Sequence, residues 1–409
     1  MRPPRPGANA SAMQPLVVSH YTATSCLGHG LEPLTSALRT LRGGLAPCSF
    51  ETVDLDTYVG AVGGLDDERL PVALQEFDCR NNRLAHLALR QDDFQQAVNG
   101  AIARTGRHRF GLFLGTSTSG ILETELAYRQ RDPATGALPA TFTYHSTHSA
   151  FSVAAFLRRL LAVDGPTVVV STACSSSAKA FGSAQRMIAA GFIDAALVGG
   201  VDTLCLTTLY GFHSLQLTAP GPCRPFAVDR DGLSIGEAAA FVLLERPNAR
   251  TAASTLALLG IGESSDAYHL SAPHPDGHGA GIAMAGALAA AGIAPGEVDY
   301  VNLHGTGTSS NDRAEALAVH ALLGAQVPCS STKGATGHAL GAAGALEAVV
   351  CAIALAHRFI PGGINTAAVD PALDVNYVTE TRSAPLARVL SNSFGFGGTN
   401  CSLVFGRAG

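Results

Sequence analysis

Lysine is almost missing from this chain. Of its 27 basic residues only Lys179 and Lys333 are lysines; the rest are arginines. Basic runs are missing too. With 27 Lys+Arg against 32 Asp+Glu the formal net charge is −5, and the richest basic stretch, residues 104–109 (RTGRHR), is short enough to be a solvated helix end. That balance excludes nucleic acid as the main partner. Charge of either sign is scarce, at 14% against 47% hydrophobic residues, which excludes a disordered chain. Nine cysteines are scattered from Cys26 to Cys401 without one CxxC pair. A zinc site or thioredoxin-like motif is therefore not expected, and a reducing compartment is. The longest apolar run, 339–356, is mostly Ala and Gly and is interrupted by Glu347, so no membrane span is expected. The first thirteen residues, MRPPRPGANASAM, lack the apolar segment of a signal peptide. They read as a disordered arm, with Met13 a second candidate start, and the protein as soluble and cytoplasmic.

Strand and helix signals alternate along the rest. Apolar strands are expected at 16–19, 110–114, 167–171, 195–198 and 241–245, then at 255–262, 300–303, 328–331, 389–392 and 402–405. Helices are expected at 32–42, 82–102, 175–190, 279–291, 311–323 and 341–357. Gly-rich turns between buried strands and helices point to α/β layers with covered sheets. Each half sets a polar turn just after a buried strand, STACSSS (171–177) and HGTGT (304–308). That echo suggests an internal duplication with its boundary near 246–251, giving halves 14–250 and 251–409.

Four segments carry residues capable of chemistry. Cys174 stands at a strand-to-helix turn, where the helix dipole and free amides would favour a thiolate and hold an oxyanion; the plain alternative is a buried cysteine capped by serines. His304 ends a buried strand and enters a Gly/Thr turn, at the edge where α/β sites form; it could equally be a satisfied polar-turn histidine. Thr306 and Thr308 lie on one side of that turn. Lys333 and His338 share STKGATGH, where a compact ammonium fits and a guanidinium does not. Glu347, a lone carboxylate in an apolar helix, needs a partner, and Lys333 is the obvious one. In SNSFGFGGTN (391–400), Phe394 and Phe396 alternate with glycines, as in a tightly packed loop or a gate with an aromatic plug.

Cys in TACSSS, His in HGTGT, Lys and His in STKGATGH and the terminal NSFGFGGTN, in that order, resemble the β-ketoacyl-acyl-carrier-protein synthases. The resemblance runs from about residue 15 to 407 and takes in CRPFAVDRDGLSIGEAAAFVLLE (223–245) and GESSDAYHLSAP (262–273). It implies a thiolase-like fold, duplicated α/β halves in five layers, α-β-α-β-α. It implies a decarboxylative Claisen condensation in which Cys174 carries the acyl group and His304 and His338 stabilise the enolate from malonyl-carrier protein. Lys333 would orient His338 and pair with Glu347. The amides of Cys174 and Phe396 would hold the oxyanion. Phe396 would be the gate, and Asp266 part of the loop moving with it. Thr306, Thr308, Thr118, Phe212 and Phe394 would contact substrate, and Glu347 and Asn392 would support the site. No metal or organic cofactor is implied beyond the phosphopantetheine arm of the carrier protein. The partners implied are an acyl carrier protein and a second subunit, either another copy or a chain-length-factor-like relative. Arg80, Arg83, Arg129 and Arg131 are candidates for the carrier-docking face.

Two histidines, rather than His and Asn, resemble the elongating members. HGTGTSSND (304–312) places Asn311 where a Gly is usual, and GTSTSG (115–120) places Thr118 where a bulky Ile commonly separates the acyl pockets of the two subunits. These variants look like the synthases of aryl polyene pathways, with two-carbon elongation of a fatty acyl or other polyketide chain as the other reading; a silent length-setting subunit is the non-catalytic alternative, against which Cys174 speaks.

Overall fold

The computed structural model describes residues 12–248 and 251–408. All but the last two residues of the expected arm, and residues 249–250 of the expected junction, lie outside the described residues.

The first half supplies strands β1 (Leu16–Ser25), β2 (Phe110–Gly115), β3 (Thr167–Val170), β4 (Ala195–Asp202) and β5 (Ala238–Glu245). The second supplies β6 (Leu256–Ser265), β7 (Tyr300–Asn302), β8 (Pro328–Ser330), β9 (Asn376–Tyr377), β10 (Arg388–Gly395) and β11 (Thr399–Arg407). They form one ladder in the order β9-β8-β7-β10-β11-β6-β1-β5-β4-β2-β3. In the first half β1 lies antiparallel to β5 and β5 to β4, whereas β4–β2 and β2–β3 are parallel. In the second, β6 lies antiparallel to β11 and β11 to β10, whereas β10–β7 and β7–β8 are parallel. The same five-strand pattern is built twice. The two copies join where Leu16 and Val17 pair with Leu258 and Ala257.

The main helices are α1 (Arg80–Leu89), α2 (Phe94–Thr105), α3 (Ser152–Leu160), α4 (Ser176–Ala189), α5 (Leu206–Ser214), α6 (His278–Ala291), α7 (Ser309–Leu323) and α8 (Ala343–His357). Helix α4 follows β3 as α8 follows β8, the same position in each half. These two fill the middle layer, where Phe181 and Ile188 of α4 and Leu346, Val350 and Ile353 of α8 share one core with Val198, Val242, Val389 and Phe405 of the sheets. Small residues let them approach: a β-carbon on Gly344 would stand 2.8 Å from Ala178. Helices α1–α3 cover the outer face of the first sheet, with Phe94, Phe156 and Phe241 in one cluster. Helices α6 and α7 cover the second around Met284, Leu288, Val319 and Val404. The result is the five-layer thiolase-like arrangement. Each fully buried Leu, Val or Phe contributes about 1.5–3 kcal/mol, so the shared middle layer holds both halves in one body.

Two expectations change. The helix expected over 82–102 is two helices, because Asp92 and Asp93 take left-handed φ of 53° and 55°. The Asp92 carboxylate accepts from Thr22 Oγ1 at 2.7 Å and Leu31 N at 3.0 Å, and these tertiary bonds outweigh helix propagation. The segment Leu340–His357 is long and apolar enough to cross a membrane, contrary to expectation, but 89% of it is buried in the middle layer.

Candidate active site

Strand β3 ends at Val170 and the chain turns sharply into α4. Ala173 has φ 52°, a left-handed conformation uncommon for a residue with a β-carbon. The serines hold it there. Ser176 Oγ accepts from Thr172 N at 2.9 Å and donates to Ala173 O at 2.5 Å, and Ser175 Oγ donates to Thr172 O at 2.9 Å. Cys174 is thus presented at the entrance to α4, buried. One ligand-type atom from each of Cys174, His304 and His338 lies within 4.8 Å of the others, the one such group among the described residues.

The thiol is not in the state expected. Burial pushes Cys174 up to about 12, against the opposing pull of the Lys333 charge and a hydrogen bond from the Phe396 amide. In the closed site desolvation outweighs the helix N-terminus, and the resting group is a thiol. Both histidines are driven well below their ordinary range, first by burial and then by Lys333. They are neutral imidazoles, with ring centroids 5.1 Å apart and planes crossed at 83°.

The two histidines are held differently. His304 N donates to Glu315 Oε1 and Gly305 N to Glu315 Oε2, both at 2.8 Å, and Asn392 Nδ2 donates to Glu315 Oε1 at 3.1 Å. Lys333 Nζ donates to the His304 carbonyl at 2.6 Å and lies 3.5 Å from His304 Nδ1. An ammonium has only donors, so Nδ1 is the lone-pair nitrogen and Nε2 carries the proton. His338 is fixed through its backbone, with its N donating to Ser234 O at 2.7 Å and its O accepting from Gly236 N at 3.0 Å. Neither of its ring nitrogens has a protein partner. Lys333 therefore braces His304, not His338 as expected. The expected Lys333–Glu347 pair is present, both side chains almost fully buried.

Cys174, His304, His338, Thr306, Thr308 and Phe394 line one cavity with Phe212, Phe396 and Asp266. It holds only ≈ 40 Å³, room for a few waters at most. Within that lining the Phe396 ring lies 5.4 Å from that of Phe212. The Thr306 and Thr308 hydroxyls bond each other at 2.9 Å. Asp266 ties its own loop to the 398–400 segment: its N donates to Gly398 O at 2.8 Å, and its carboxylate accepts from Asn400 Nδ2 at 2.9 Å and His274 N at 3.1 Å. A second cavity of ≈ 620 Å³ adjoins it, sharing Leu217, Pro273 and Thr308 with the first.

Some expected residues lie elsewhere. Thr118 is fully buried and does not line the cavity; its hydroxyl donates to Asp202 Oδ1 at 2.9 Å. Arg80 is no docking residue, being buried and paired with Glu237 and Asp66 at 2.6 Å. Arg83 pairs with Asp78, whereas Arg129 and Arg131 are exposed. Glu315 was missed. Its signal was a single carboxylate between Ala314 and Ala316 on a helix, eleven residues after His304.

Family models described as the N-terminal and C-terminal domains of beta-ketoacyl synthase match residues 82–249 and 256–367. The 3-oxoacyl-[acyl-carrier-protein] synthase 2 of Synechocystis sp. is 33% identical over 411 aligned positions, covering 95% of this chain and 97% of that protein. The ketosynthase ApeO, solved in complex with its chain length factor ApeC from Xenorhabdus doucetiae, is 39% identical, with 96% and 98% of the two chains covered and a TM-score of 0.88. The ishigamide ketosynthase/chain length factor is 27% identical, with 97% and 100% covered and a TM-score of 0.87.

Proposed function

The chain belongs to the β-ketoacyl synthase family, and on that premise we propose how its residues perform the condensation and on what. The enzyme is an acyltransferase that joins an acyl group to the two-carbon unit of malonyl-carrier protein. The Cys174 sulfur attacks the acyl thioester; the carrier thiol leaves with the proton, and the acyl group becomes a thioester on Cys174. Movement of Phe396 admits the phosphopantetheine arm along Thr306 and Thr308 and relieves the burial that keeps the thiol protonated. On malonyl entry the bond to the carboxylate breaks and CO2 leaves. His304 Nε2–H and a ring N–H of His338 donate to the enolate oxygen, neutral donors that need no titration. The new carbanion attacks the acyl carbonyl, the amides of Cys174 and Phe396 receive the oxyanion, and Cys174 departs as a thiolate, which takes a proton from water, as the β-ketoacyl product forms.

The single observation that carries this reading is the convergence of Cys174, His304 and His338 within 4.8 Å at the floor of a gated cavity. No metal is assigned to these three residues: the Lys333 ammonium, 3.5 Å from His304 Nδ1, opposes a second cation there.

The substrate is an aryl-primed, conjugated polyene chain, and the second subunit is a chain-length-factor-like relative. Asn311, which lines the cavity, supports the first part. Likeness to a ketosynthase solved with its chain length factor supports the second. Edge strand β3 supports it too: Val168, Val169 and Val170 are only half-buried at the open end of the sheet, an edge that pairing would cover. A cytoplasmic location and the division at 250/251 belong to the same reading. Product analysis of the enzyme with its carrier protein, with and without the candidate partner, on aryl and alkyl primers tests it. Aryl-primed polyenes that need the partner are expected. Equal extension of alkyl primers without a partner contradicts the substrate and partner assignments.

A further inference from the structure

Of the two histidines, His338 lacks side-chain support. Its ring nitrogens are unpartnered, so the backbone on either side must place the ring. On the N-terminal side Ser234 and Gly236 hold it. On the C-terminal side lies a strained residue: Leu340 has φ 49°, a conformation that β-carbon residues keep only when the surroundings over-determine it. The next residue is what holds it. Gly341 N donates to Asp202 Oδ2 at 2.6 Å.

Asp202 is fully buried at the end of β4. Besides Gly341 N, its carboxylate accepts from Thr116 Oγ1 at 2.7 Å, Ser117 N at 2.8 Å, Ser117 Oγ at 2.6 Å, and Thr118 N and Oγ1 at 2.9 Å. Five of these six donors belong to the 116–118 turn after β2, which fixes the carboxylate in the first half of the molecule. The sixth reaches across to the second half. There is no slack at the crossing: a β-carbon on Gly341 would stand 2.8 Å from Asp202 Oδ2.

We propose that Asp202 is the positioning residue for His338: through its bond to Gly341 N it holds the Leu340 turn, and with it the His338 ring, in place for malonyl decarboxylation. Lys333 and Glu315 do the same for His304. The inference rests on the assignment of His338 to decarboxylation, so the test carries a control for that assignment.

The test uses Asp202→Asn in the full chain. The amide oxygen takes the Oδ1 place and keeps the 116–118 amides. The NH2 group then faces Gly341 N–H, donor against donor, while Ser117 Oγ turns to accept. Malonyl-carrier decarboxylation is measured apart from acylation of Cys174 by acyl-carrier protein. The expected result is a fall of about 100-fold in decarboxylation, the scale for a small misplacement of a catalytic group, with acylation changed by less than about 3-fold, since Cys174 is held by its own serine-bonded turn. Gly341→Ala strains the same crossing from the other side and should give the same split; it serves if the Asn variant does not fold. Ser117→Ala removes an Oδ2 donor and the weaker, 3.3 Å acceptor of Gly341 N but leaves the 2.6 Å bond from Gly341 N to Asp202, and should spare both half-reactions. Equal loss of both half-reactions, or undiminished decarboxylation in folded Asp202→Asn or Gly341→Ala protein, overturns the proposal. His338→Ala separates the two levels. If it loses decarboxylation while Asp202→Asn keeps it, only the role of Asp202 fails. If it keeps decarboxylation, the assignment of His338 fails and the inference falls with it.

Discussion

Replacing Lys333 with Met removes an ammonium from a site where the lysine is 1% and Glu347 2% exposed. The Glu347 carboxylate loses its ion partner, and its Oε2 already lacks a protein partner. Breaking a buried pair from one side costs about 3–5 kcal/mol. Unfolding entropy near the midpoint is about 2.1 cal/mol/K per residue, or about 0.9 kcal/mol/K over 409 residues. The expected fall in Tm is therefore about 3–6 °C. It depends on pH with a definite sign. Burial raises Glu347 from 4.5 to about 7 even against the pull of Lys333. A carboxyl raised in the folded state contributes its stability in full below 4.5 and loses it as pH rises through the folded value. Without Lys333 that value rises further, so the deficit against wild type should widen above pH 7. Lys333→Met/Glu347→Leu replaces both charges with apolar groups and should recover most of the lost Tm. It should not recover decarboxylation, because the His304 carbonyl still lacks its donor. Thermal scans at pH 6 and 8.5 with malonyl decarboxylation assays measure all of this. A Tm loss below about 1 °C in the single variant, or a double variant whose loss is the sum of the two singles, refutes the reasoning.

Glu315 makes a second pH prediction. Burial lifts it to about 7, opposed by the amides of Gly305 and His304, so its share of stability is whole below 4.5 and fades as pH rises through 7, by at most about 3.4 kcal/mol at 1.36 kcal/mol per unit. Glu315→Gln should flatten that stretch of the stability–pH curve in denaturant titrations and orphan one amide at about 1–3 kcal/mol; an unchanged slope would count against the buried carboxylate. Phe396→Ala should open the ≈ 40 Å³ cavity and remove much of the burial that holds Cys174 near 12. Iodoacetamide should then alkylate Cys174 more than about 10-fold faster, with the pH–rate profile moved to lower pH; equal rates would mean that Phe396 is not the gate.

The residues with distinctive chemistry were readable from type and spacing. Cys174 follows a buried strand and precedes a helix, and HGTGT and STKGATGH sit on turns whose glycines announce close backbone approach. The duplicated ladder was readable in the alternation of apolar runs. Relations that depend on direction were not. That Lys333 bonds the His304 carbonyl and has no bond to the His338 ring depends on where the fold brings the end of a four-carbon stem. A family motif assigns Thr118 to the acyl pocket by position, but its hydroxyl turns to Asp202, a residue that in sequence merely ends a strand. Asp92 and Asp93 divide α1 from α2 through a bond to Thr22, seventy residues away in the chain. Propensity cannot register such a partner.

Intact-mass and peptide mapping after incubation with acyl-carrier protein tests the central claim most directly. The acyl mass is expected on Cys174 alone, and Cys174→Gln is expected to lose condensation while still releasing CO2 from malonyl-carrier protein. An enzyme that elongates the chain with Cys174 never acylated, or a folded Cys174→Gln variant that releases no CO2, contradicts the account.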